Sequence, residues 1–457
     1  MRRTSAPAPP AVRRLLTPFQ ALDGRLDAQS RAPLAVAFSG GGDSLALLLM
    51  TKTWADRAGR SVLALTVDHG LQPQSAAWTQ EAAAAAHRIG VGFRALSWDG
   101  PKPDKGLPAA ARAARHSLIA DAARAAGSSV ILMGHTLDDQ LENALMRASG
   151  EGVGVLRDWS PSPVWPRGRG VFLCRPLLAV RRADLRRWLG DQGQSWIDDP
   201  ANEDVRSPRV RARSRLGQGE GADWRAEPNA DDALRGLASA CRTTKWGGIF
   251  APRDVLVGDA VGARRLLQIA AACAAGRQAL GRPERAGAVL ERLKGGEAFV
   301  ACLGGARLTA GRDLLITREA GEFRRTGSDP VRLEMARPTV WDGRFELTAW
   351  RAGLAAAPLK GRMALLEPTE KARLLALPAD ARGALPAILQ TGRRPACPIL
   401  AGKGVNAPEV TAFDLVEHRF RAACGLITRE RESSAFGEMA NCSHSSYVGA
   451  EAKGLFE

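Results

Sequence analysis

Six consecutive residues, Ser39-Gly40-Gly41-Gly42-Asp43-Ser44, place three glycines, an acid and two hydroxyls directly after the apolar run Leu34–Phe38. Glycines lack a Cβ, so backbone N–H groups there can approach a phosphate closely. A helix opening at Asp43-Ser44 would add unsatisfied donors and the positive end of a helix dipole. The loop is not of the Walker A type, because Leu45 stands where the second glycine belongs. It also lacks the third glycine of the dinucleotide fingerprint. Asp43 beside a bound anion is unfavourable unless a cation such as Mg2+ intervenes. The plain alternative is a tight turn capped by Asp43 or Ser44, but a cap does not require three glycines.

A second group of acids follows Gly134-His135-Thr136. On a helix starting near Thr136, Asp138 and Glu142 are four apart, Asp139 and Glu142 three apart, so the carboxylates share one face. Like charges repel there, and Mg2+ held jointly by carboxylate and phosphate oxygens is one compensation. Capping by an acid in the first turn is another, and it would account for Asp139 alone. Asp68-His69 closes a further apolar run, and Arg112 and Arg115 lie three apart on one helix face. An acidic strand-end loop and a solvated helix face are the plain alternatives for these two pairs.

The elements that must position these residues alternate. Leu34–Phe38, Val62–Val67, Phe93–Leu96 and Val130–Gly134 are continuous apolar runs, as expected of strands buried on both faces. Helical segments fall at Leu45–Ala58, Gln74–Ile89 and Ala109–Ala126. The expected fold class is therefore α/β, an open and mostly parallel sheet. Ligands of such sheets bind beyond the carboxyl ends of the strands. Ser39–Ser44, Asp68–His69 and His135–Glu142 all fall there. Arg175-Pro176-Leu177-Leu178, a helix near Arg181–Leu189 and Trp196–Pro200 follow, then Arg209, Arg211, Arg213 and Arg215.

A chain of 457 residues exceeds one ordinary core. We expect a leader and first helix over 1–32, a nucleotide-binding catalytic domain over 33–216, a helical substrate-binding region over 217–297, an α+β region over 298–430 and a mobile tail over 431–457. Within this, Gly217–Asp232 has linker composition, Ala233–Leu293 reads as helical, and Ala298–Trp350 reads as strands with turns at Gly304-Gly305 and Asp342-Gly343. The net charge of +16 favours a polyanionic partner, with an arginine-rich codon bias as the plain alternative. Seven scattered cysteines without a Cys-x-x-Cys pair suit reduced thiols in a cytosolic protein rather than a zinc site or disulfides. No apolar run is long enough to span a membrane.

Ser-Gly-Gly-x-Asp-Ser after a first strand resembles the PP-loop ATP pyrophosphatases. Val67-Asp68-His69-Gly70-Leu71, Gly134–Asn143, Arg175–Leu178 and Trp196-Ile197-Asp198-Asp199-Pro200-Ala201-Asn202 narrow the resemblance to the tRNA(Ile)-lysidine synthases, over about 180 residues in family order. The resemblance implies that ATP adenylates the C2 oxygen of the first anticodon cytidine in a tRNA(Ile) with a CAU anticodon. The amine of free L-lysine then displaces AMP. It implies ATP contacts by Ser39, Gly40, Gly41, Gly42, Asp43, Ser44, Asp68, His69 and Gly134. Catalytic roles fall to Asp43, Asp138 and Asp139, with Mg2+ on Asp43 and Asp139. Arg112, Arg115 and Glu142 would meet substrate or balance charge. A cytoplasmic setting is implied, and the oligomeric state, a homodimer included, is left open. A PP-loop tRNA thiolase and a catalytically silent RNA-binding relative are the alternatives. The missing Cys-x-x-Cys speaks against the first, and the intact loop and acids against the second. Pro108, His116, Asn143 and Ser207-Pro208 depart from the family pattern. The last departure weakens any transfer of RNA-contact roles to Arg209 and Arg211.

Overall fold

A computed structural model describes residues 10–100, 102–198, 207–218, 230–258, 260–327, 329–400 and 409–433. The start of the leader, Asp199 to Asn202, most of the expected linker and the tail from 434 lie outside the described residues. Contacts divide the chain into two units: residues 1–227 with 428–435, and residues 228–427 with 436–457.

The first unit opens with α1 (Pro10–Arg25), β1 (Leu34–Ala37), α2 (Gly42–Ala58), β2 (Val62–Asp68), α3 (Ser75–Ile89) and β3 (Gly92–Ser97). It continues with α4 (Leu107–Ala125), β4 (Val130–Met133), α5 (Leu137–Ala148), β5 (Trp159–Pro161), β6 (Phe172–Cys174), α6 (Arg182–Asp191) and α7 (Pro208–Gly217). The strands form one sheet in the order β3-β2-β1-β4-β6-β5. All pairings are parallel except β5 with β6; Leu34 stands beside Val62, Ala35 beside Ile131, Val130 beside Phe172. The continuous apolar runs have the expected cause: Leu34, Ala35, Val36 and all of β4 are buried, with helices on both faces.

β1 is central, and the chain runs outward from it to β3 before returning to β4 on the other side. That reversal opens a crevice beyond the carboxyl ends of β1 and β4. The helices that fill the crevice walls are shaped by local chemistry. α2 ends at Gly59, whose φ of 65° lets its N–H reach the carbonyls of Ala55 and Asp56. Pro108 falls in the first turn of α4, where a missing N–H costs nothing, so this departure is absorbed by helix entry.

In the second unit, helices cover Ala230–Ser239, Ala260–Ala274 and Pro283–Lys294, but two strands interrupt the stretch that the sequence presents as helical. Arg242–Thr243 and Ile249–Pro252 join Phe299–Leu303, Ala306–Ala310 and Asp313–Arg318 in a five-stranded antiparallel sheet. Only Ile249 and Ala251 alternate inward, too short a pattern to announce a strand without its partner at Asp313–Ile316. The expected turns do appear: Gly304 and Gly305 both have positive φ between paired strands, as a two-residue hairpin requires. Two further three-stranded antiparallel sheets close around a core that includes Trp341, Phe345, Leu347 and Leu385. No described helix is long and apolar enough to cross a membrane.

Candidate active site

β1 delivers the chain into the glycine loop, and α2 begins at Gly42 with Gly41 as its cap. The first α2 hydrogen bond runs from Leu45 N to Gly41 O at 2.9 Å, so the amides of Gly42, Asp43 and Ser44 precede any intrahelical acceptor. Ser44 Oγ donates to Gly41 O at 2.8 Å and lies 3.2 Å from Ser39 Oγ, folding the loop back on its own helix. Gly134 ends β4 against this turn. A Cβ on Gly134 would sit 3.2 Å from Asp43 C and Ser44 Cα, tighter than an ordinary contact, so glycine lets the end of β4 approach the start of α2 without displacing it.

The acids of α5 meet the loop through an arginine that the sequence reading did not single out. Arg182, the first residue of α6, contacts Asp43 Oδ2 at 2.9 Å, Asp139 Oδ1 at 3.3 Å and Glu142 Oε1 at 3.2 Å. Its own amide donates to Asp138 Oδ2 at 2.7 Å. Burial works against its charge, but Asp43, Asp139 and Glu142 outweigh this and raise its pKa. Glu142 is fully buried and also faces Arg213 at 2.9 Å and Arg209 at 3.4 Å. Arg209 further donates to Asn143 Oδ1 at 3.0 Å, which gives that departure from the family pattern a partner. Asp139 both caps and pairs: its Oδ2 accepts from Thr136 N at 2.7 Å and Thr136 Oγ1 at 2.9 Å, leaving Oδ1 for Arg182. The one advance signal for Arg182 is its place at a helix start, where a cation opposes the dipole and needs an acid elsewhere.

Desolvation raises the Asp43 pKa, an effect that Arg182 opposes and Asp139 reinforces. Asp43 Oδ1 is buried and finds no hydrogen-bond partner among the described residues. A desolvated, unsatisfied carboxylate oxygen at the mouth of a phosphate loop fits a hard cation that also takes phosphate oxygens. Asp139 fits less well, since its two oxygens are already used by Thr136 and Arg182. Among the described residues no cluster of three or more His, Cys, Asp or Glu has metal-binding geometry.

The opposite wall is basic. Arg115 projects from α4 into the crevice with its Nε unpartnered; burial, with Arg112 and Arg209 nearby, pushes its pKa down to about 10. Arg112 is exposed and does not line the cavity. His135 Nδ1 accepts from Arg175 Nε at 3.3 Å, which leaves the ring proton on Nε2. Burial and the charges of Arg175 and Arg115 hold His135 well below the usual histidine range, so it is neutral. Burial and Arg115 also lower the pKa of His69, which packs edge-on to Trp98 with ring centroids 6.1 Å apart.

These groups surround a cavity of about 1050 Å³, ample for a nucleotide triphosphate. Ser39, Gly41, Gly42, Asp43, Ser44, Asp68, His69, Arg115, Gly134 and Asp139 line it. Gly40 lies buried beneath the loop, and Asp138 and Glu142 stand behind the wall, reached through Arg182. No cysteine lines the cavity, and burial pushes Cys174, the cysteine next to Arg175, up to about 12.

A PP-loop domain family model matches residues 11–220. The tRNA(Ile)-lysidine synthase of Caulobacter vibrioides is 44% identical over 412 residues, covering 90% of this chain and 97% of the relative. That of Mesorhizobium japonicum is 34% identical over 432 residues, covering 84% and 90%. Among solved structures, a U34-tRNA thiolase of Methanococcus maripaludis with its 4Fe-4S cluster aligns at a TM-score of 0.40 and 14% identity, over 48% of this chain and 82% of that one.

Proposed function

The chain belongs to the tRNA(Ile)-lysidine synthase family of ATP-using PP-loop ligases, and on that footing we propose that it joins free L-lysine to C2 of the first anticodon cytidine in a CAU-bearing tRNA(Ile). The observation that carries this reading is the cavity itself. An open glycine loop at a helix start faces a half-buried arginine, its Nε without a partner among the described residues, across a space of about 1050 Å³.

The amides of Gly42, Asp43 and Ser44, with the dipole of α2, hold phosphate oxygens and later the departing pyrophosphate. Arg115 supplies the facing positive charge. Its Nε finds no hydrogen-bond partner among the described residues, which supports a role toward an anionic substrate. Arg182 offsets part of the charge of Asp43, Asp139 and Glu142, with Arg209 and Arg213 adding theirs at Glu142, so a triphosphate meets a wall that repels it less. The neutral His135 lines the cavity with its proton on Nε2, a donor suited to a developing oxyanion or leaving phosphate. Mg2+, where bound, would rest on Asp43, with Asp139 the weaker second candidate, and would supply charge stabilisation on the phosphates. No protein nucleophile is required, because the attacking amine arrives with lysine. Orientation and charge placement therefore do the catalysis. We assign the tRNA body to the regions after residue 217, divided as 217–297 and 298–430, and the reaction to the cytoplasm.

The test supplies ATP, labelled lysine and bulk tRNA. Label in RNA with matching AMP and pyrophosphate is expected. Asp43→Ala should stop all three products while leaving the melting curve unchanged. Replacing all seven cysteines by serine should leave measurable lysine transfer per folded molecule. Sulfur in the RNA, lost with Cys174→Ser, would replace this reading with that of a thiolase.

A further inference from the structure

The phosphate loop does not hold its own shape. Gly40 has a φ of 81°, and its carbonyl accepts a hydrogen bond from Ile197 N at 3.0 Å. A Cβ on Gly40 would collide with Ile197 Cδ1, while the Trp196 ring lies 3.4 Å from where a Cβ on Gly42 would stand. Trp196 and Ile197 thus pack against the loop from Gly40 to Gly42. They are themselves held by α6. Arg186 stacks over the Trp196 ring at 5.8 Å, and both Arg186 and Trp196 Nε1 donate to Asp198 Oδ1, at 3.4 and 3.3 Å.

The consequence follows from peptide geometry. The Gly40–Gly41 bond is trans, so the Gly40 carbonyl and the Gly41 N–H lie in one plane and point in opposite directions. Drawing the carbonyl down onto Ile197 turns the Gly41 N–H up. Gly40 is buried beneath Ile197, whereas Gly41 and Ser39 line the cavity, whose wall Ile197 and Asp198 also reach beside the loop. The Gly41 N–H makes only a long contact there, 3.4 Å to Ser39 Oγ, and so remains available to an incoming anion.

We propose that Ile197 is a positioning residue for ATP. Its amide fixes the Gly40–Gly41 peptide so that the Gly41 N–H joins the α2 amides facing the phosphates, and Trp196, Arg186 and Asp198 hold the strap in place. Ile197 acts through the Gly40 carbonyl, and its side chain forms part of the cavity wall beside the loop. The inference rests on the reading of Ser39–Ser44 as the phosphate loop.

The test removes the amide and the side chain separately. Ile197→Pro deletes the donor and should raise the KM for ATP by at least about tenfold, with the KM values for lysine and tRNA within about twofold of wild type. Ile197→Val keeps the donor and should restore the ATP KM. Should Ile197→Pro fold poorly, the steric half is tested instead. Trp196→Ala removes the ring that packs on Gly42 and Arg186 without changing a cavity-lining residue, and should raise the ATP KM in the same selective way. An unchanged ATP KM in folded Ile197→Pro or Trp196→Ala, or an equal rise in all three KM values, would overturn the proposal. Asp43→Ala assayed in parallel separates the two readings. If it stays active, the phosphate loop itself is misassigned; if it is dead while Ile197→Pro is normal, only the strap fails.

Discussion

One guanidinium stands where the sequence pattern offered a metal or a helix cap as the compensation. The face of Asp138, Asp139 and Glu142 needs positive charge, and Arg182 supplies it with a fork that reaches Asp43, Asp139 and Glu142 at once. Lysine could not do this, since an ammonium is a point charge without planar, divergent donors. What is left for a cation is narrower than expected, essentially the buried Oδ1 of Asp43. The arrangement has a titration consequence. Burial raises the Asp43 pKa and Arg182 is the main force holding it down. In Arg182→Met that restraint is gone, the pKa climbs further, and the carboxylate is lost at a higher pH. If ionised Asp43 is required, the acidic limb of kcat/KM should move to higher pH in this variant, with activity best recovered at the alkaline end. A profile that falls by the same factor at every pH would mean that Arg182 only orients its neighbours.

At the scale of elements, a capping residue sets a comparable balance in the second unit. Asp414 ends the strand Val410–Asp414, and its Oδ1 accepts from Val416 N at 3.0 Å at the start of the helix Val416–Ala423. Burial pushes its pKa up to about 7, against the opposing hydrogen bonds from Val416 and Glu417 and the charge of Arg344. The folded state therefore keeps a proton that the unfolded chain has released. Its stabilising contribution is full below the ordinary aspartate range and is lost as pH rises through about 7. Asp414→Asn retains the acceptor and removes the titration, so the fall in melting temperature between pH 5 and pH 8 should be smaller than in wild type. An identical fall would show that Asp414 ionises freely. The two units were unequally legible. Strands such as Leu34–Ala37 and Val130–Met133 announce themselves because burial on both faces leaves no polar position. Asp139 could be placed in a cap because Thr136 precedes it by three. Arg182 could not be singled out, since it is one of 64 basic residues and its partners come from α2 and α5. Ile197 was visible only as part of a motif. Its partner, the Gly40 carbonyl, lies more than 150 residues earlier, and nothing local in a Trp-Ile-Asp segment specifies that pairing.

At the scale of the whole molecule, the chain leaves the first unit at residue 227 and returns to it at 428. The return is anchored by chemistry that no local pattern foretells. Glu430 receives Arg60 Nη1 and Nη2 at 2.7 Å each and Asp27 N at 2.9 Å, with the two side chains 0% and 1% exposed. Arg60 also donates to the carbonyls of Ala32 and Asp27, and Arg25 reaches Thr428 O at 2.6 Å. Arg60 follows the end of α2, the helix whose other end is the phosphate loop, so the last turns of the described chain brace the far end of that helix. A buried pair of this kind is costly to break from one side, because the survivor is a desolvated charge. Glu430→Ala should lower the unfolding free energy of this unit by about 3–5 kcal/mol, whereas Arg60→Met/Glu430→Leu, which removes both charges, should recover most of that loss. Chemical denaturation of the single and double variants measures the coupling directly. Two singles that merely add would show that the pair contributes nothing. The same reasoning predicts that a fragment ending at residue 227 behaves like Glu430→Ala, and that appending residues 428–433 through a flexible linker restores it. A fragment equally stable with or without those six residues would show that the first unit does not depend on the chain's return.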